Sequence, residues 1–152
     1  MAIILDGSDA IGDLGDALAA KLDSSGVASA TLGTNQTTTS TSYTDLATVG
    51  PSVTLTTGTK ALVIISTYIQ NAVSNRDTYA SWEVSGASTV AAADSWGMLV
   101  WANASGIQIS ASRVHLITGL TPGSNTFTMK YRVSAGTGAF SQRHITVLDM
   151  GS

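Results

Sequence analysis

Two periodicities divide the chain. Between Asp9 and Asp23 the apolar positions Ile11, Leu14, Leu18 and Leu22 are spaced three, four and four apart, which lines them along one face of a helix. Ser8 or Asp9 caps the start, Asp9 and Asp13 suit the positive end of the helix dipole, Lys21 suits the other end, and Ser24-Ser25-Gly26 stops it. From about residue 38 onward the period is two. The clearest example is "TFTMKYRVS", where Phe127, Met129, Tyr131 and Val133 face one way and Thr128, Lys130 and Arg132 the other. A one-residue slip would carry that whole apolar set to the opposite face, so the register of this strand is well specified.

Further strands read off in the same way. "SYTDLATV" and "PSVTLTT" are short and interrupted at Gly50-Pro51. "KALVIISTYI" is the most apolar run and is expected to be a central strand covered on both faces. "YASWEVSG" alternates with Ala80, Trp82 and Val84 on one side. "WGMLVWA", "IQISA" and "RVHLITG" follow, and in the last His115 alternates with Val114 and Leu116 and is expected to point away from the core. "AFSQRHITVLDM" closes the series with Ile145 and Val147 facing inward. Turn signals such as "GLTPGSN" and "AGTG" separate these runs. Together they predict an all-β fold, a jelly-roll-like antiparallel β-sandwich of about eight strands, preceded by a short N-terminal helix and an extended arm. The division expected is an anchoring segment over 1–37 and a sandwich over 38–152, with the Ser- and Thr-rich stretch 24–42 as linker or extended arm.

The weakness of the helix bears on its role. Gly12 and Gly15 each cost about 1 kcal/mol relative to alanine, and isolated helices shorter than about 12–15 residues are marginal in water. Gly15 lies at the edge of the stripe, where a missing side chain lets another backbone approach. Ile11, Leu14, Gly15, Leu18 and Leu22 are therefore the candidate assembly interface, with a frayed tail or a helix folded back on its own domain as the alternative.

Charged residues make up 11% of the chain, well below the roughly 25% of an ordinary soluble domain. Such a surface suits packing against neighbours better than staying dispersed. Five of the ten acidic residues fall within the first 23 positions, against one lysine; the remainder carries six basic and five acidic residues. No basic patch results, which argues against nucleic acid and anionic membrane as partners. "MAIIL" lacks the basic region and length of a signal peptide, and no apolar run approaches a membrane span, so synthesis in the cytoplasm is expected. The chain has no cysteine, hence no disulfide and no thiolate zinc site.

Catalytic signatures are missing. There is no nucleophile elbow, no phosphate-binding glycine loop and no His-Glu-x-x-His, and the expectation is a protein that is not an enzyme and takes no cofactor or metal. Glu83 with Asp77 or Asp94 has the residue types of a glycosidase carboxylate pair, yet both aspartates fall in stretches that read as turns. His115 and His144 are far apart in sequence and would have to meet in space to bind a metal. Of the three tryptophans, Trp82 reads as core, and Trp96, following the polar "AADS", is the candidate for exposure and glycan contact.

"TSTSYTDLATVGPSVTLTTGTKALVIIS", "GLTPGSNTFTMKYRVSAGTGAF" and "RHITVLDMG" resemble a small β-sandwich domain of virion proteins from tailed bacteriophages, notably those of actinobacteria. The likeness covers roughly residues 38–149, and "GDALAAKLD" is similar to the opening of phage fibre and decoration proteins. The resemblance implies a structural virion component with no catalytic residues to carry over. The reading that follows is a capsid decoration or auxiliary protein located in the virion. It would be held by its N-terminal arm on the major capsid protein or another virion subunit, and be a homotrimer by analogy with other jelly-roll virion proteins. The alternative is a tail-fibre or receptor-binding tip contacting host glycans.

Overall fold

The computed structural model describes residues 26–151; the stripe Ile11, Leu14, Gly15, Leu18 and Leu22 lies outside the described residues. Among the described residues nine strands form two antiparallel sheets. The first contains β1 (Val27–Leu32), β2 (Gln36–Thr38), β4 (Lys60–Asn71), β7 (Ile109–Thr118) and β9 (Gly138–Gly151), in the order β1-β9-β4-β7 with β2 also paired to β9. The second contains β3 (Ser52–Thr57), β5 (Arg76–Gly86), β6 (Met98–Ala102) and β8 (Gly123–Val133), in the order β3-β8-β5-β6.

The two inner faces make one core. Phe127, Met129, Tyr131 and Val133 of β8 are all fully buried, as the alternation of that strand requires, and so are Trp82, Val63, Ile65, Ile69, Ile145 and Val147. Aromatic rings tie the layers, with Phe127 5.9 Å from Trp82 and Phe140 4.7 Å from Tyr131 between centroids. Each such side chain contributes about 1.5–3 kcal/mol through burial.

Two expectations are corrected. β4 is central in its sheet, but only Ala61, Val63, Ile65 and the residues in phase with them are covered; Leu62 and Ile64 face outward and are half-buried. Residues Val27–Thr38, expected in a linker arm, pair instead along β9, with Ala30 opposite Ile145 and Thr37 opposite Ala139. The described part of the expected arm therefore belongs to the sandwich, and a boundary at 37/38 would cut its edge. Its alternation sets alanine and leucine against serine and threonine, a contrast too shallow to separate strand from low complexity. Arg143, on which the sequence carried no expectation, is fully buried.

Arg143 fastens the crossing from the first sheet to the second. Its Nη1 donates to the carbonyl oxygens of Gly50 (3.0 Å) and Thr48 (3.4 Å), and its Nη2 to Gln36 Oε1 (2.9 Å). The Tyr131 hydroxyl donates to the same Gly50 oxygen at 2.9 Å. Gly50 has φ of +89°, and a Cβ there would come within 2.7 Å of the Ser52 nitrogen, so the anchoring carbonyl needs glycine. Upstream, Thr44 exchanges two backbone hydrogen bonds with Tyr131, which extends the sheet edge beside β8.

Both ends of the described chain lie together. Val27 stands opposite Leu148, and the Asp149 N–H donates to the Gly26 oxygen. At the far end the turns after β4, β6 and β8 meet, with Gly106 N–H donating to Asn71 O and Ala72 N–H to Thr137 O.

Candidate assembly surface

The register of the first sheet fixes what its outer face presents. Leu116, Leu62, Leu148 and Val27 stand side by side on β7, β4, β9 and β1 and form a row across all four strands. The next row is Val114, Ile64, Thr146 and Ser29, and the third is Ser112, Ser66, His144 and Thr31. None of these twelve positions carries a carboxylate, ammonium or guanidinium group. Val27 is 58% exposed, Val114 54% and Leu116 48%. Six of the twelve are apolar and adjacent, and the other six are serine, threonine or histidine; adjacency is what sets them apart from apolar side chains scattered singly on a surface. Lys60 stands at its rim, opposite Thr118.

His144 is hydrogen-bonded within this field. Its Nδ1 lies 2.8 Å from Thr31 Oγ1 and its Nε2 2.8 Å from Thr146 Oγ1. Both ring nitrogens thus have a threonine hydroxyl as partner.

The outer face of the second sheet is built differently. Lys130 Nζ lies 2.7 Å from Asp45 Oδ1 and 3.0 Å from Glu83 Oε1. Arg132 grips both oxygens of Asp94 while its guanidinium lies 3.4 Å from the Tyr79 ring centroid. The Tyr43 hydroxyl donates to Asp94 at 2.8 Å. Hydrogen bonding from Arg132 holds the Asp94 carboxyl below the usual range, and burial followed by the Asp94 carboxylate pushes the Tyr43 hydroxyl up. Exposed pairs of this kind add only about 0–1 kcal/mol each, but they leave this face compensated within the chain.

These pairs also account for the candidate catalytic carboxylates. Glu83 is engaged by Lys130, Asp94 by Arg132 and Tyr43, and Asp77 accepts from the Tyr79 hydroxyl at 3.2 Å. The two histidines lie on opposite faces of the first sheet. His115 is turned inward, 6.0 Å from Trp82 and 5.9 Å from Trp96 between ring centroids, and burial, then Arg113, lowers its pKa. The expectation that His115 points away from the core is therefore corrected; Val114 and Leu116 are the ones outside. Among the described residues no three His, Asp or Glu side chains come together as a metal would need.

Trp96 is half-buried, 5.8 Å from Trp82 between centroids, and its Nε1–H donates to the Trp82 carbonyl at 3.2 Å. It caps the core between β5 and β7. The exposed tryptophan is Trp101, 55% exposed on β6 beside Leu99, with Asp77 directly opposite it on β5. Leu99 and Trp101 take the exposed phase of "MLVWA", a run with no polar residue, so its phase was not readable from the sequence.

The sequence matches no family model and no curated protein. Solved structures do share its architecture. A chain in the structure of the infectious bursal disease virus Gt strain superposes with a TM-score of 0.55 at 12% identity, over 84% of this chain and 33% of that one. The VP2 subviral particle of the same virus gives 0.56 at 13% identity, over 82% and 33%. The fold is a jelly-roll-like sandwich. Eiger TNF from S. frugiperda has it too, with a TM-score of 0.53 at 10% identity, over 83% of this chain and 92% of that one. The chain spans about a third of the viral proteins it matches. At these identities the likeness is one of fold.

Proposed function

We propose that the protein is a structural component of a virion, a sandwich subunit that works by packing against other subunits and performs no reaction. The observation that carries this reading is the outer face of the β1-β9-β4-β7 sheet, three rows of which are partly apolar and carry no carboxylate, ammonium or guanidinium. A jelly-roll-like fold of the kind found in the VP2 particle of infectious bursal disease virus supports it. In its finer form, the protein is a capsid decoration or auxiliary protein, a homotrimer. Ile11, Leu14, Gly15, Leu18 and Leu22 hold it on the major capsid protein or another virion subunit, and the sandwich is displayed outward. Three modest contacts linked in one oligomer raise avidity without any new chemistry. Particles mixed with the full chain are expected to carry it, while a chain lacking residues 1–25 stays folded and is not retained. Equal retention of the truncated chain would overturn the anchoring role.

Exposed Trp101 favours a second reading, a fibre or receptor-binding tip that contacts host glycans through this ring and the facing Asp77. A glycan array would then give a signal that Trp101→Ala abolishes. A blank array, or a signal indifferent to that change, dismisses this reading.

A further inference from the structure

We propose that Trp101 and Asp77 form a subsite for the cationic group of an amino sugar, a glycan unit whose amine is free and protonated. The inference rests on the glycan-contact reading above and names the class of sugar that the site takes.

β6 is an edge strand of the second sheet. Burial of Met98, Val100 and Ala102 sets its phase, so Leu99 and Trp101 stand on the outer side, both exposed. The register continues each of them across the sheet. Leu99 stands opposite Tyr79, and Tyr79 opposite Arg132. Trp101 stands opposite Asp77, whose carbonyl accepts from the Ser134 N–H. Cross-strand neighbours have Cβ atoms about 4.5–5.5 Å apart, so the indole and the carboxylate border one another.

The row through Tyr79 is a finished stack of ring, cation and carboxylate. The Arg132 guanidinium lies 3.4 Å from the Tyr79 ring centroid, and its Nε–H donates to Asp94 Oδ1 at 3.1 Å. The row through Trp101 has the ring and the carboxylate but lacks the cation. Among the described residues no lysine or arginine lies over the Trp101 ring, and none pairs with Asp77. Arg76 is next in sequence, but it shares the phase of Thr78 and Ala80, which are buried on the inner face. The Tyr79 hydroxyl donates to Asp77 Oδ2, and the Asp77 N–H donates to Ser134 Oγ at 2.9 Å. The acidic side chain is thereby held in place, with its other oxygen left to a ligand.

Charge then selects that ligand. Four carboxylates, Asp45, Asp77, Glu83 and Asp94, share this face with two cations, Lys130 and Arg132. Both cations are committed to the other three carboxylates, and Asp77 is the one without a counter-charge. A sugar acid meets repulsion here, and a neutral sugar finds only ordinary hydrogen bonds. An ammonium gains twice, through a charge-assisted hydrogen bond to Asp77 and through attraction to the indole face. The C–H face of the same sugar ring lies against Leu99 and the remainder of the indole, apolar surfaces already open at the sheet edge.

The test uses the full chain with glucosamine trisaccharide, its N-acetylated counterpart and trilysine, at about pH 6, where such amines are protonated. Binding is read from the NMR shift of the Trp101 indole N–H, assigned by its disappearance in Trp101→Ala. The glucosamine trisaccharide is expected to bind roughly tenfold more tightly than the N-acetylated one. Asp77→Asn keeps an acceptor for Tyr79 and removes the charge, so the two saccharides should then bind equally, at an unchanged Tm. No shift with either saccharide overturns the glycan reading and this inference with it. Equal affinities in the wild type, or a preference that survives Asp77→Asn, overturn this inference and leave the glycan contact standing. Trilysine that moves the resonance as strongly as the glucosamine trisaccharide overturns it too, because the site then takes any ammonium and no sugar in particular.

Discussion

Phe127→Asp is expected to abolish the folded state. Phe127 is fully buried between the sheets against Trp82, and it pairs with Val53 on β3 and Val84 on β5, so its neighbours on both sides in the sheet are apolar as well. The substitution gives up about 1.5–3 kcal/mol of burial and sets a carboxylate among apolar side chains. That carboxylate must stay ionised at the cost of several kcal/mol or take up a proton. Against a total stability of about 5–15 kcal/mol for a domain of this size, the sum removes most or all of it. Circular dichroism should show loss of the strand signal, and the protein should collect in the insoluble fraction. A soluble variant with a cooperative melting transition near that of the wild type would refute the assignment of this face of β8 to the core.

Arg143→Met ranks second. Methionine matches the aliphatic stem and removes a buried cation, which on its own could stabilise. It also takes the donors away from Gly50 O, Thr48 O and Gln36 Oε1. Thr48 is exposed and Gln36 half-buried, so their acceptors can turn to water. Gly50 is buried and keeps only the Tyr131 hydroxyl. The lost bond from the charged guanidinium to that oxygen costs about 1.5–3 kcal/mol, and loosening the crossing adds to this. The expected net loss is about 2–4 kcal/mol, or roughly 5–15 °C in Tm for a chain of this length, with early proteolysis between residues 39 and 51. Arg143→Lys should recover part of the loss, because an ammonium reaches one acceptor but cannot fork to three. A Tm within about 1 °C of the wild type would show that the crossing is held by other contacts.

These two residues bracket what was legible in the sequence. β8 was readable because bulky apolar side chains alternate with lysine and arginine, and only one phase can be buried. Strands β1 and β2 were not, because Ala28 and Ala30 against Ser29 and Thr31 differ too little in size and polarity. The role of Arg143 was not readable because a buried guanidinium is recognised by the oxygens around it, and those come from residues 36–50, far away in sequence. The misplacement of His115 is more instructive. In "RVHLITG" the rule that apolar residues point inward assigned Val114 and Leu116 to the core. The rule fails where the outer face of a sheet is itself apolar, and Val114 and Leu116 are two of the most exposed members of the candidate surface. The same greasy residues that hid the phase of β7 thus mark the site. Trp96 shows the converse, a ring in a polar loop that turns back to seal the core. The stripe from Ile11 to Leu22 was legible only as a pattern, and lies outside the described residues.

The placement of the chain ends has a practical side. Residues 26 and 151 share one end of the sandwich, and the turn at 103–106, whose residues are all exposed, sits at the other. β4 runs between the two ends with 12 residues, a separation of roughly 40 Å at about 3.3 Å per residue. An epitope grafted into that turn would stand clear of everything that happens near Val27, while a tag fused after Gly151 would crowd it. As a presentation scaffold, the molecule would keep its payload and its tether on opposite poles.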